Sequence, residues 1–223
     1  MQLKKKEKII LALGVLGALA LLAGAGFSAY QKMQSDVVVI PNITDEYRKK
    51  LEAELEGMKQ KSLEDPADLD ARISIGILEQ KLGRLSSSER AFKSALNINS
   101  RDYIIYMHLG ILYDDMGRFG DANSALRTAT QLEPRDPKPF QALIMLYKRH
   151  FPGESDELEN IFQAASDYTG SPEIWAEYAQ FLEDRGDIRQ AWVYWSEVSA
   201  ADPENEEAAA HIERLVEQLG AGG

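Results

Sequence analysis

A chain of 223 residues with a formal net charge of −11 has room for one domain of ordinary size plus accessory segments, and two large domains are excluded. Lys4, Lys5, Lys6 and Lys8 against Glu7 make a basic tip, so the rest of the chain is more acidic still; an acidic body repels phosphate and excludes nucleic acid as a partner. There is no cysteine, which removes disulfides, thiolate nucleophiles, Cys-ligated metals and acyl attachment together, so cohesion must come from packing.

In chain order, residues 1–8 are a basic segment that positive-inside asymmetry keeps in the cytoplasm. Residues 9–30, Ile9 to Tyr30, carry no charge and are rich in Leu, Ala and Gly; as a helix they would rise about 33 Å, enough to cross a hydrocarbon core. The expected arrangement is a single-pass anchor in the inner or plasma membrane with everything after Tyr30 outside the cytoplasm, in the periplasm if the cell is Gram-negative. A cleaved signal peptide is the rival reading, since Ala23-Gly24-Ala25 suits a small-residue cleavage site. Residues 31–43, with Val37, Val38, Val39 and Ile40 before Pro41, read as an extended linker.

Over 44–65, Tyr47, Leu51, Leu55 and Met58 recur three and four apart, the spacing of one helix face. From there to about residue 205 the sequence repeats itself. Gly76 and Gly110, Gly83-Arg84 and Gly117-Arg118, and Ala95 and Ala129 are each 34 apart, and Gly117 to Gly186 is 69, which is two such periods with one residue inserted. The registers are 69–102, 103–136, 137–171 and 172–205. The fullest copy runs from Tyr103 to Asp136, with Tyr106, Leu109-Gly110, Tyr113, Gly117, Ala122, Leu126, Ala129 and Pro134. The copy before it has Glu79 and Ser88 where that copy has Tyr113 and Ala122. The third turns at Phe151-Pro152-Gly153, and its second helix is expected to be shifted; the fourth has Trp175, Ala179, Leu182, Gly186, Ala191, Trp195 and Pro203. Asp136-Pro137 and Ser171-Pro172 predict capped helix starts. Residues 206–223 complete the chain as a closing helix, with Ala208, Ile212, Leu215 and Leu219 apolar, and a Gly-rich tail.

This pattern resembles the tetratricopeptide repeat (TPR) family. The resemblance implies an all-α, right-handed superhelical solenoid of helix-turn-helix repeats, in which the first helix of each copy lines a concave groove that takes peptides or partner helices. Carried over to this chain, the inward positions are Ile73 and Ile77; Ile104, Met107 and Ile111; Gln141, Met145, Lys148 and Arg149; and Ala176 and Gln180. The Lys, Asn and Arg of the subfamily that clamps a C-terminal carboxylate are replaced here by Ile73, Ile77 and Met107. An apolar groove with a basic patch at Lys148 and Arg149 suits an amphipathic helix or an acidic extended segment; the alternative is a groove filled by the chain itself, with Ile73, Ile77 and Ile111 covered by the leading helix, the closing helix or the 31–43 segment.

His108, His150 and His211 fall at no ligand spacing, so no metal and no cofactor are expected. Adjacent acids such as Asp114-Asp115 point to different sides of a helix and do not form an acid-base pair. Arg185-Gly186-Asp187 spells an adhesion tripeptide, but its Gly matches the turn glycines Gly83 and Gly117. The chain is therefore expected to be no enzyme and to take no small-molecule substrate. It reads as a membrane-tethered scaffold that recruits or chaperones envelope or secreted proteins, or alternatively as a permanent subunit of a membrane complex.

Overall fold

The computed structural model describes residues 44–221; the expected basic segment, membrane anchor and linker at 1–43 lie outside the described residues. Among the described residues there are ten α-helices: α1 Asp45–Glu64, α2 Leu69–Lys81, α3 Leu85–Ile98, α4 Tyr103–Asp115, α5 Phe119–Leu132, α6 Pro137–His150, α7 Ser155–Thr169, α8 Pro172–Arg185, α9 Ile188–Ala201 and α10 Glu206–Ala221. They divide between two compact units, one ending at Ala91 and one starting at Phe92.

In the first unit, α1 starts where the Thr44 hydroxyl accepts the Tyr47 amide at 3.2 Å, with Asp45 and Glu46 in the first turn and Lys61 in the last, charges placed to suit the helix dipole. Its buried stripe is narrow: Leu51 and Leu55 pack with Leu78 and Leu82, with Met58 and Ile75 at the edge. The two slots that depart from the repeat pattern each have a polar solution. Ser88 is buried, and its hydroxyl donates to the Gly76 carbonyl at 2.7 Å. Glu79 is only 6 % exposed, and its carboxylate meets Lys59 Nζ of α1 at 3.0 Å and Arg84 at 3.7 Å, while Arg84 reaches Glu52 of α1 at 2.7 Å. A buried carboxylate survives only when paired, so α1 is held to α2 by charge as well as by leucines.

In the second unit the helices follow one another in packed pairs, α4 with α5, α6 with α7 and α8 with α9, while α5 packs on α6, α7 on α8 and α4 on α6. Asp102, Asp136 and Ser171 cap α4, α6 and α8, accepting backbone amides at 2.9, 2.9 and 3.5 Å. Asp136 also acts across elements, because the Tyr103 hydroxyl donates to its other oxygen at 2.7 Å, tying the start of α4 to the start of α6. Between α4 and α5 the Arg118 amide donates to the Tyr113 carbonyl at 2.8 Å and the Gly117 amide to Asp114 at 2.9 Å, the paired bonds of a Schellman end. Gly117 sits at φ 70°, a conformation that costs a side chain about 1 kcal/mol. Gly110 is different, because a Cβ there would meet Leu126 Cγ at 2.4 Å and the Ala122 carbonyl oxygen at 3.3 Å.

The third pair is built out of step. Phe151 ends α6, its amide donating to the Tyr147 carbonyl at 2.9 Å, because Pro152 cannot continue the ladder. Gly153, expected to reverse the chain, is not among the positive-φ glycines; the proline stop and the Glu154 amide, donating to the Phe151 carbonyl at 3.0 Å, make the turn instead. The buried Leu158, Phe162 and Ala165 of α7 therefore come two residues later in their copy than Ala122, Leu126 and Ala129 do in theirs. The slip is taken back at the next link, where Gly170 at φ 60° and Ser171 alone join α7 to α8.

Aromatic packing continues the core: Phe162 stacks on Tyr178 at 5.1 Å, and Tyr178 meets Tyr194 at 4.4 Å. The closing helix α10 docks through Ala208 and Leu215 and through one carboxylate. Glu183 accepts the Trp195 indole N–H at 2.6 Å, lies 2.6 Å from His211 Nδ1 and pairs with Arg214, while His211 stacks on Trp195 at 4.2 Å. Leu219, expected on the buried side of this helix, is exposed, as is Val216; among the described residues no helix follows α10 to cover its last turns.

Three outcomes follow from this packing. Lys59→Met, which leaves Glu79 short of a partner, is expected to cost about 1–2 kcal/mol in urea unfolding, whereas Glu79→Leu costs less or stabilises. Gly110→Ala is expected to cost about 1–3 kcal/mol by overpacking, and the penalty is partly relieved on a Leu126→Ala background, read as non-additivity in a double-mutant cycle. Tyr103 is pushed up to about 12, first by its hydrogen bond to Asp136 and then by burial. The folded state favours the protonated phenol, so this stabilisation is full below pH about 10 and is lost as pH rises toward 12. Tyr103→Phe is thus expected to be less stable than the parent at pH 7 by about 1 kcal/mol, with the gap closing across that alkaline window.

Candidate protein-binding face

In the second unit the first helices of successive pairs are α4, α6 and α8, and the inward positions carried over from the family pattern fall on them. Four of these come together. Gln141, Met145, Lys148 and Arg149, on successive turns of α6, line a cleft of about 520 Å³ with Glu177 of α8. Met145 is 50 % exposed, a large flexible thioether standing in water, and the Arg149 guanidinium lies against its sulfur. Ile111 is exposed and Ile104 and Met107 are half-buried on α4; Ala176 is half-buried and Gln180 exposed on α8. These five do not line that cleft. Ile73 and Ile77 belong to the first unit, where Ile73 is only 8 % exposed.

The expected basic patch is answered by two carboxylates. Lys148 Nζ lies 3.4 Å from Glu177, and Arg149 lies 3.1 Å from Asp114. Asp114 is also held at 2.8 Å by His150 Nε2, and that imidazole stacks on Phe119 at 3.8 Å. The sequence signal for Asp114 and Glu177 was slight: each sits on a neighbouring first helix, 35 residues before Arg149 and 29 after Lys148, and only the stacking of copies makes them neighbours. Lys148 and Glu177 are both about half exposed along their side chains, and an exposed pair of this kind is worth about 0–1 kcal/mol; Arg149 is as exposed as Lys148, but its partner Asp114 is largely buried. The first is the weaker of these bonds, and one that a partner can exchange. A ligand carboxylate can take over Lys148 while the ligand's apolar side chain covers Met145.

The other candidate groups have packing roles. His108 stacks on Phe92, as His150 does on Phe119 and His211 on Trp195. Gly186 of the Arg185-Gly186-Asp187 tripeptide is a helix end at φ 82°, with Arg185 paired to Glu159 at 2.5 Å. No cluster of three or more metal-binding side chains occurs among the described residues.

No protein-family model matches the chain, and no curated protein matches it. Solved structures do. PilF of Pseudomonas aeruginosa is 18 % identical, with 78 % of each chain covered and a TM-score of 0.60. TTC0263, a thermophilic TPR protein of Thermus thermophilus, is 20 % identical, covering 75 % of this chain and 91 % of its own, with a TM-score of 0.51. YrrB, described as a TPR protein with an unusual peptide-binding site, is 16 % identical, covering 74 % of this chain and 85 % of its own at a TM-score of 0.55. At such identities the likeness is one of fold, and with the paired helices and the 34-residue spacing it shows that this chain has the tetratricopeptide-repeat fold.

Proposed function

We propose that the chain is a membrane-tethered scaffold whose TPR solenoid holds other proteins, without catalysis, in the cleft lined by Gln141, Met145, Lys148, Arg149 and Glu177. The observation that carries this reading is the exposed Met145 beside the exposed Lys148–Glu177 pair and the exposed Arg149, on the helix face that TPR proteins turn toward partners. An apolar centre flanked by exposed charges favours an amphipathic helix or an extended segment with acidic side chains. The fold shared with YrrB, named for a peptide-binding site, supports it further. Tethering rests on the uncharged run 9–30 behind its lysines; the positive-inside rule supports repeats outside the cytoplasm, and the role proposed there is recruitment or chaperoning of envelope or secreted proteins. Among the described residues no helix is long and apolar enough to cross a membrane.

A second reading, permanent membership of a membrane complex, is favoured by Trp192 and Val193 on α9 and Val216 and Leu219 on α10, all exposed. These apolar side chains lie away from the cleft and suit a fixed contact. A photoreactive residue at Met145, illuminated in native membranes, separates the two readings. A recurring set of clients whose capture drops at least about fivefold with Lys148→Glu supports the scaffold. A single stoichiometric partner captured regardless of that change, and released by Val216→Ser, supports the permanent subunit. The native absence of cysteine makes orientation directly readable: Leu63→Cys is expected to react with an impermeant maleimide in intact spheroplasts, and labelling only after lysis would sink the proposed topology.

A further inference from the structure

A second hollow lies on a different face. Where α7 faces α5 across α6 there is a cleft of about 390 Å³, floored by Phe140 and Leu143 of α6 and walled by Ile161 and Ala164 of α7, with Pro134 at one side and Tyr168 at the rim. Tyr168 is 60 % exposed, an aromatic ring left in water beside an apolar hollow. None of these residues takes part in the cleft around Met145.

One end of the hollow is strongly polar. Glu157 and Asn160 belong both to its wall and to an adjoining pocket of about 350 Å³ formed by Gly153, Glu154, Ser155 and Asp156 at the start of α7. Arg127 of α5 closes against Glu157 and donates to the Tyr147 hydroxyl at 3.0 Å, so this cation is already committed. The Asn160 amide and then the Arg127 guanidinium hold the Glu157 carboxyl below the usual carboxylate range, and it stays ionised at neutral pH. Glu154 and Asp156 extend the acidic end with exposed side chains. The helix dipole of α7 favours acids at its start; a smaller hollow of the same kind, about 290 Å³, recurs one copy earlier over Tyr106 and Leu109, with a single acid, Asp121, at the equivalent place.

We propose that this outer cleft is a second protein-docking site, whose occupant is a partner segment carrying an apolar anchor and, close by, lysine or arginine. The apolar side chain fills the space over Phe140 and Leu143 under Tyr168, and the basic side chain reaches Glu157 and Asp156. From Ala164 back to Glu157 is seven residues of helix, about 10 Å at about 1.5 Å per residue, a distance an extended partner covers in about three residues at about 3.3 Å each. The Met145 cleft, with its own cations, favours acidic segments, so the two faces of the second unit select opposite charge.

The test uses the full chain and a fluorescein-labelled peptide of repeating Leu-Leu-Lys-Lys units, followed by anisotropy beside its Glu-for-Lys and Ser-for-Leu twins. Binding of the parent peptide is expected, at least about tenfold tighter than either twin. Ala164→Trp, which fills the hollow, and Tyr168→Ser, an exposed change that leaves the core intact, are each expected to weaken it at least about fivefold without altering the protein's charge, while Met145→Ser leaves it unchanged. The proposal is overturned if the acidic twin binds as well, or if neither outer variant weakens binding while general charge attraction persists. It is equally overturned if Met145→Ser abolishes binding, which assigns the peptide to the inner cleft, or if sedimentation shows a dimer that Ala164→Trp dissociates, which assigns the hollow to a second copy of this chain.

Discussion

Everything in the second unit depends on how closely one helix of a pair can approach the next. At Gly110 the backbone of α4 comes so near α5 that Leu126 occupies the volume a Cβ would need, and Ala122 and Ala129, both fully buried, keep the facing side equally small. That closeness sets how the ridges of α4 and α5 can interlock. Larger side chains fill the remaining space: Phe162 of α7 meets Tyr178 across the seam between two pairs, and Tyr178 meets Tyr194 within the last pair. Since each helix is amphipathic and short, none of these contacts would persist in an isolated pair; the stack is the smallest unit that removes the stripes from water.

Polar groups do much of the positioning that apolar packing leaves undone. Glu183 gathers an indole, an imidazole and a guanidinium from α9 and α10, so the closing helix has a defined rotation although only Ala208 and Leu215 of it are fully buried. Asp136 serves two elements at once, capping α6 and receiving Tyr103. In the first unit Glu79 plays a comparable part between Lys59 and Arg84. Each of these carboxylates is specific because it is costly to strand.

What could be read from the sequence was whatever is written within a few residues. Gly117 and Gly186 signal helix ends because only glycine readily takes a positive φ there, and Asp136-Pro137 and Ser171-Pro172 signal starts because cap and ring geometry are local. The 34-residue spacing made the pairing legible for the same reason, since it is a count. Less could be read from side chains that matter only across copies. Glu79 looked like a lost aromatic, and its partners Lys59 and Arg84 lie 20 residues before and five after it, at no motif spacing. Lys148 and Arg149 looked like a basic patch because Asp114 and Glu177 reach them only through stacking. The shift of α7 was expected from Phe151-Pro152-Gly153, but its compensation at Gly170 was not, since a two-residue link is recognisable only once both helix ends are known.

That compensation has a consequence for how such an array tolerates change. The α4-to-α6 start spacing is Tyr103 to Pro137 and the α6-to-α8 spacing Pro137 to Pro172, 34 and 35 residues, so the first helices keep nearly even phase while α7 runs two residues late between them. The added length at the link between α6 and α7 is thus absorbed in the turn and cancelled at the link after it, while the buried slots of α7 stay filled by Leu158, Phe162 and Ala165. Turn length inside one copy can therefore change while the spacing of the first helices, and with it the stacking of the next copy, is kept.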